Sequence, residues 1–160
     1  MQDRLRLDSF LPYRLIRVAE RFDTAFTQYC GPDDELSWSE WQVLWSLGEQ
    51  SPITAKSISL QSGLSKTKIS RAVKVLEDRG YVLRKRDRAD RRFELLSLSD
   101  EGLQRFDRLE RSAQAFQGWL EQSVNIAYLS SLDSGLVGLE HMAAAGLFQI
   151  AAPSVEETIT

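Results

Sequence analysis

The residues of this chain best suited to chemistry are the lysines and arginines of one short stretch. Between residues 65 and 92 there are eleven Lys/Arg against four Asp/Glu, a local net charge of +7. The whole chain of 160 residues has a net charge of −3, so the remainder is strongly acidic. Positive charge gathered in one part of an acidic protein is typical of a site that binds the phosphate backbone of duplex DNA.

Two short predicted helices position this basic stretch. Thr54 is suited to cap a helix over residues 55–62, and Gly63 to make the turn that follows. Ser65 is suited to cap the next helix, over residues 66–79. Apolar residues at helical spacing form the expected core of the pair: Ile58, Leu64, Ile69, Val73 and Leu76. The spacing therefore predicts a helix-turn-helix whose second helix reads DNA.

The residue pattern changes after the second of these helices. Residues 81–84 and 93–98 favour β-strands, and a charged tip at 87–90 joins them. A hairpin that follows a helix-turn-helix is a wing. The sequence therefore predicts a winged helix-turn-helix with basic side chains on both the second helix and the wing.

The outward face of the helix over 66–79 carries hydroxyls and basic side chains. Short hydroxyls near the start of a helix approach base edges or phosphates, whereas Lys and Arg reach guanine or the backbone. A charge run is often only a solvated face, but here the acids needed for internal ion pairs are missing between residues 65 and 76. The candidate DNA-binding residues on this helix are Ser65, Lys66, Thr67, Lys68, Ser70, Arg71 and Lys74.

Longer helices are predicted outside this motif. Apolar residues recur at helical spacing over 8–29, over 99–124 and over 131–145, and a shorter helix is predicted over 38–48. The three outer helices carry more apolar surface than the small module can cover, which favours a two-fold dimer over a monomeric helical bundle. A dimer presents two reading helices to the two halves of a pseudo-palindromic operator.

The fold class that follows is mainly α (α+β): a winged helix-turn-helix with long N- and C-terminal dimerisation helices. The predicted parts of the chain are an N-terminal dimerisation helix (1–36), a winged helix-turn-helix DNA-binding region (37–98), C-terminal dimerisation helices (99–148) and a flexible tail (149–160).

Residue types needed for most catalytic and metal sites are scarce. The chain has one cysteine, Cys30, and one histidine, His141, which excludes an intramolecular disulfide and a Cys/His metal cluster. No Ser/His/Asp set, phosphate loop or nucleotide fingerprint is present, so we expect no enzyme, no catalytic residue, no metal and no cofactor. No apolar run approaches a membrane span and no leader is evident, which predicts a cytoplasmic protein with no membrane partner.

Three stretches of the chain resemble the family of multiple-antibiotic-resistance regulators (MarR). They are residues 53–82, the wing sequence DRADRR at 87–92, and LSLSDEG at 96–102, which is similar to the family's entry into a long helix. The resemblance extends over about residues 11–144. It implies a homodimeric winged-helix transcriptional regulator, usually a repressor, dimerised through its N- and C-terminal helices. It also implies a small effector, often aromatic or anionic, that binds between the dimer core and the DNA-binding lobes and releases the double-stranded DNA.

The resemblance also assigns roles within the wing. Asp90 and Arg92 match the family's Asp-x-Arg element, in which the acid orients an arginine that enters the minor groove. Arg92 is therefore the first candidate for insertion, and Arg88 at the tip is the second, because a planar and permanently charged guanidinium suits a narrow groove. The alternative is that Asp90 and Arg92 only stabilise the hairpin.

The candidate effector site is built from aromatic and basic residues of the first two helices. Trp38, Trp41 and Trp45, with Arg14 and Arg17, are suited to an aromatic carboxylate, although tryptophans at this spacing more often belong to a core than to a pocket. Two further alternatives stay open. Cys30 is a candidate oxidation sensor, although its place at the end of the first helix differs from that of sensor cysteines in similar proteins. A winged helix also serves some proteins as a protein-binding adaptor, a use that does not require a basic wing.

Overall fold

The architecture is a small antiparallel sheet with α-helices before and after it along the chain. The computed structural model describes residues 5–30, 36–86 and 94–147. The helices are α1 (Leu11–Cys30), α2 (Trp38–Glu49), α3 (Ala55–Ser62), α4 (Lys66–Asp78), α5 (Asp100–Ser123) and α6 (Ile126–Ala144). The strands are β1 (Ile53–Thr54), β2 (Val82–Arg86) and β3 (Glu94–Leu98). The predicted mainly α fold with a winged helix-turn-helix is confirmed.

The chain divides into two compact units, and the boundary falls inside α5. The first unit extends to Phe116 and contains α1 to α4, the sheet and most of α5. The second begins at Gln117 and contains the end of α5 and the whole of α6. The hydrophobic core lies in the first unit, where Leu44, Leu47, Ile58, Ile69 and Leu76 are among the fully buried side chains. No residue of α6 is buried.

Hydrogen-bonding side chains begin the helices of the motif where the sequence predicts them. The backbone N–H of Ser57 donates to the Thr54 hydroxyl at 3.1 Å, and that of Lys68 donates to the Ser65 hydroxyl at 3.4 Å. Gly63 adopts the left-handed conformation, with φ of 69°, and ends α3. Because the caps depend on neighbouring residues only, these boundaries could be predicted from local sequence.

The strand β3 is the centre of the sheet. It pairs with β2 from Val82 opposite Leu98 to Arg86 opposite Glu94, and with β1 on its other edge. The strand β1 was not predicted, because two residues are too short to show an alternating pattern. It ties the start of the helix-turn-helix to the wing through β3.

The predicted start of the last helix was wrong by five residues. The helix α6 begins at Ile126 instead of residue 131, because the Asn125 side chain accepts a hydrogen bond from the Ala127 N–H at 2.9 Å and caps it. Asparagine is as good a cap as serine. The asparagine at position 125 was therefore the available signal for the start of this helix.

The first part of the apolar face of α5 is covered within the chain itself. Phe106, Leu109 and Phe116 are buried within the first unit. Phe116 contacts two aromatic rings of α1, with centroid distances of 5.3 Å to Phe26 and 5.4 Å to Tyr29. This part of α5 therefore completes the core of the subunit itself.

Candidate nucleic-acid interface

The two faces of α4 differ sharply in chemistry. Ile69, Ala72, Val73 and Leu76 are buried against the core of the first unit, which leaves the opposite face to solvent. On that face the predicted DNA-binding residues are all exposed: Ser65, Lys66, Thr67, Lys68, Ser70, Arg71 and Lys74. The helix α4 thus presents one continuous basic face.

Three basic side chains of this face have no ionic partner within the described residues. Lys66, Lys68 and Arg71 form no salt bridge with any described acid. They stand in the first half of the helix, where the unpaired backbone N–H groups add a partial positive charge. Ser65 uses its hydroxyl oxygen for the cap, but a capping hydroxyl still has its own proton to donate. The start of α4 is therefore the part most favourable to a phosphate.

Lys74 differs from the other cations of this face. Its Nζ lies 2.7 Å from Oδ1 of Asp78, four residues along the same helix. The hydrogen bond that the Lys74 ammonium donates to Asp78 raises the pKa of Lys74 above its usual range. Residues 65–76 contain no acid, but Asp78 lies just beyond them. Because Lys74 is paired with Asp78, it is a weaker candidate than Lys66 or Arg71 for a DNA contact.

Arg84 on β2 connects the reading helix to the wing. Its Nε and Nη2 donate to the two carboxylate oxygens of Glu77 at 2.9 and 3.0 Å, and its Nη1 donates to Oε2 of Glu94 at 2.6 Å. Hydrogen bonding from Arg84 lowers the pKa of Glu77, and the hydrogen bonds to Glu77 and Glu94 raise the pKa of Arg84. Arg84 is one of the eleven basic residues between 65 and 92, but its charge is neutralised by Glu77 and Glu94.

The tip of the wing carries the predicted groove-binding residues. Arg88, Asp90 and Arg92 lie outside the described residues, so their roles stay predictions. The described base of the wing ends in Lys85 and Arg86, both exposed.

The start of α5 is packed tightly against the turn between α4 and β2. The Ser99 hydroxyl donates to the Gly80 carbonyl at 2.6 Å and accepts from the Gly102 N–H at 2.9 Å. The Ser99 N–H donates to the Tyr81 carbonyl at 3.0 Å. A methyl group added at Gly102 would overlap the Tyr81 carbonyl oxygen. The glycine of the LSLSDEG stretch is thus required by a close backbone approach.

The three tryptophans of the predicted effector site form one column along α2. The ring of Trp41 stacks on Trp38 at a centroid distance of 4.8 Å and on Trp45 at 4.7 Å. Trp38 is 54% exposed, whereas Trp41 and Trp45 pack partly against the core. The indole N–H of Trp45 donates to Oε1 of Glu49 at 2.9 Å. The column is therefore part core and part surface.

A small cavity lies beside this column, among α1, α2 and α5. Its volume is about 20 Å³, which suffices for roughly one water molecule. Phe26, Thr27, Trp38 and Trp41 contribute to its lining. Among the described residues, no acceptor meets the buried indole N–H of Trp41. A buried donor without a protein partner is commonly met by an ordered water or by a ligand.

The two predicted arginines of the effector site are not at this cavity. Arg14 and Arg17 are exposed on α1, and the Arg17 guanidinium lies 5.5 Å from the centroid of the Tyr13 ring. The lining residues of α1 come from its last two turns instead, with Asp23 and Thr27 as the polar ones. Spacing within α1 alone does not reveal which turn faces the tryptophans.

Cys30 also lines the cavity. Burial raises the pKa of its thiol, an effect opposed by a hydrogen bond with Ser112 and by the charge of Arg105. A protonated thiol is a poor nucleophile, which argues against the oxidation-sensor alternative.

The comparisons with known proteins agree with this geometry. Residues 36–93 match the model of the MarR family. The HTH-type transcriptional regulator YwaE of Bacillus subtilis (strain 168) is 30% identical over 95 residues, which are 59% of this chain and 56% of that protein. The matched part therefore spans little more than half the length of this relative. The resemblance based on residues 53–82, 87–92 and 96–102 is confirmed.

Solved structures share the fold over most of its length. A probable transcriptional regulator from Pseudomonas aeruginosa is 25% identical, with a TM-score of 0.75 over 84% of this chain and 99% of that chain. A second similar structure is that of BpsR from Bordetella bronchiseptica, a protein whose DNA binding is regulated by 6-hydroxynicotinic acid. Its sequence is 19% identical to this chain. Its TM-score is 0.76, over 86% of this chain and 98% of that chain. Of the described helices, none is long and apolar enough to cross a membrane.

Proposed function

We propose that this chain is a DNA-binding transcriptional regulator and not an enzyme, on the premise that its residues 36–93 match the model of the MarR family. In the proposed mechanism a homodimer represses transcription from a pseudo-palindromic operator, and a small ligand releases it. Residues 37–98 bind DNA, and the helices within 1–36 and 99–148 form the dimer. Residues 149–160, expected to be a flexible tail, lie outside the described residues. We expect the protein to be cytoplasmic, because this function requires access to DNA.

The observation that carries the proposal is the exposed basic face of α4. Lys66, Lys68 and Arg71 lack acidic partners among the described residues, stand in the first half of the helix, and are all exposed. Such a face is typical of a recognition helix, whose first turns enter the major groove. The described base of the wing, with Lys85 and Arg86 exposed, adds positive charge beside it.

The exposed apolar residues of α1 and α6 support a homodimer. Leu11 is 55% exposed, Ile16 60% and Ile126 64%, although each is a large apolar side chain. Apolar surface of this extent is typical of an interface between subunits. A second copy of the chain is the partner we propose, because two-fold pairing duplicates the reading helix as a palindromic operator requires.

The buried N–H of Trp41 supports a small effector that brings a hydrogen-bond acceptor. A carboxylate meets this donor, while the ring of an aromatic acid suits the exposed face of Trp38. The cavity is too small for such a ligand, so binding requires the Trp38 side chain and its neighbours to move. We retain Trp38, Trp41 and Trp45 as candidate contacts; Arg14 and Arg17 stay candidates only as charges near the site. BpsR, with the same fold, is regulated by an aromatic acid of this kind.

Selection of DNA from a random-sequence duplex pool tests the function directly. The proposal predicts enrichment of one pseudo-palindrome, bound by two chains, with affinity that falls steeply as salt is added. A footprint on the selected duplex should cover two half-sites about 10 base pairs apart. A panel of aromatic acids added to the complex then tests release. If no duplex is enriched and affinity in dilute buffer is negligible, the adaptor alternative takes the place of this function.

A further inference from the structure

Arg84 stands where the strand pattern calls for an apolar side chain. Along β2 it shares a face with Val82, which is buried, and its partner in register on β3 is Leu96, which is also buried. Side chains alternate between the two faces of a strand, so Arg84 is on the face of the wing that packs on the lobe. The Arg84 side chain remains 38% exposed there and is paired by two carboxylates.

The pairing joins three elements through one guanidinium. Glu77 is in the last turn of α4, Arg84 is in β2, and Glu94 is the first residue of β3. All three nitrogens of Arg84 donate to these two carboxylates. The side chain of Glu77 is 23% exposed and that of Arg84 38%, so the pair is partly shielded from water and ions. Bidentate geometry fixes the relative orientation of the two groups as well as their distance.

We propose that Glu77, Arg84 and Glu94 form a positioning bridge that holds the wing at the angle to α4 at which both elements contact one duplex. This inference rests on the proposed DNA-binding function. Arg84 acts through the wing, because its nitrogens are engaged by carboxylates and are not turned to a phosphate. The bridge thus converts two separate basic elements into one reading surface.

The proposal makes a prediction opposite in sign to simple electrostatics. Glu77→Gln removes a negative charge next to the DNA-binding helix, so charge alone predicts tighter binding. A glutamine of the same size keeps the helix but loses the bidentate carboxylate, so the positioning bridge predicts weaker binding. We expect the affinity for the selected duplex to fall about 5-fold or more, a coupling typical of one residue in an ion-pair network.

Asp78 supplies the matched control. It is the next residue on α4 and also an acid, but its described partner is Lys74 on the same helix. Asp78→Asn removes the same charge at nearly the same place without disconnecting the wing. We expect its affinity for the duplex to be unchanged or higher. The contrast between the two variants therefore separates orientation from charge.

Arg84→Lys distinguishes a positioning residue from a phosphate ligand. Lysine keeps the positive charge and serves a phosphate well, but it cannot present the planar fork that Glu77 and Glu94 share. If Arg84 contacts phosphate, Arg84→Lys should bind almost normally and Arg84→Gln should reduce the salt slope by about one counterion. In the positioning bridge, Arg84→Lys already weakens binding, and the double variant Glu77→Gln/Arg84→Lys is little worse than either single one.

The probe is the duplex of about 30 base pairs selected with the wild-type protein, long enough for two half-sites. Affinity is measured against salt, and thermal unfolding and the oligomeric state are measured for every variant, so that a misfolded variant is recognised. If Glu77→Gln folds like the wild type and binds the duplex as tightly or more tightly, as expected of Asp78→Asn, the positioning bridge is wrong. The DNA-binding function would still stand. If the wild-type protein binds no duplex, the proposed DNA-binding function itself is wrong.

Discussion

The basic side chains of α4 are all exposed, but their neighbours differ. These neighbours decide what each side chain contributes to DNA affinity. If Lys66 or Arg71 contacts a base, its replacement by alanine should weaken operator binding by about 1–3 kcal/mol. Lys74→Ala should cost less, because Asp78 already neutralises Lys74. Binding of each variant to the selected operator and to a version with one mutated half-site measures both affinity and discrimination. If all duplexes weaken equally, the residue contacts only phosphate.

Glu77 also makes the stability of the lobe depend on pH. Its pKa is lowered in the folded state, so its contribution to the free energy of unfolding is present above the usual pKa of a glutamate. The contribution is lost as pH falls through the lowered value, when the folded carboxylate takes up a proton. The difference in the free energy of unfolding between wild type and Glu77→Gln, measured with denaturant, should therefore be largest at neutral pH and become smaller at acid pH, below the usual pKa of a glutamate. An equal difference at neutral and at acid pH would contradict the ion pair.

At this scale the sequence predicted residue types but not their partners. The basic face of α4 follows from helical periodicity alone, because every third or fourth position is apolar. The pairing of Arg84 with Glu77 and Glu94 was missed, since it depends on the register between β2 and β3 and on how α4 packs against them. An arginine on the inward side of a strand was the available signal.

Among the elements, the junction between α5 and the α4–β2 turn should be the least tolerant of change. Gly102→Ala would gain helix propensity, yet its methyl group overlaps the Tyr81 carbonyl oxygen, and overpacking typically costs about 1–3 kcal/mol. Gly118 on the same helix has open space around it, so Gly118→Ala should stabilise by about 0.5–1 kcal/mol. Thermal unfolding of the two variants gives the sign of each effect; stabilisation by both would show that the junction relaxes.

Helix boundaries were predictable where a capping side chain stands next to an apolar period. Ser65 and Thr54 begin α4 and α3 as expected. Ser37 and Glu40 complete the capping box of α2, with both reciprocal hydrogen bonds formed. The errors fall elsewhere: the Asn125 cap of α6 was overlooked, and β1 exists only through its long-range pairing with β3.

For the whole molecule, the decisive quantity is the number of chains in the DNA-binding species. Leu136→Glu on α6 places a charge at a side chain that is 42% exposed in the single chain, so it should hardly affect the folding of one subunit. In the proposed dimer the same charge would be buried, and we expect dissociation and loss of operator binding. Sedimentation at micromolar concentration measures the change.

Ser134→Glu is the matched control, because residue 134 lies on nearly the opposite side of α6 from residue 136. It adds the same charge and should leave the dimer and its affinity intact. Wild-type protein that sediments as a single chain would end the dimer proposal, whatever the variants do.

The stacked column of Trp38, Trp41 and Trp45 gives the protein an optical signal of its own. Indole rings held nearly parallel at 4.7 and 4.8 Å couple their electronic transitions, and three of the four tryptophans of the chain are in this one stack. A molecule that enters beside Trp41 must disturb that coupling, and the near-ultraviolet circular dichroism with it. Effector candidates can therefore be screened on the unlabelled protein, in the absence of DNA and before any target gene is identified.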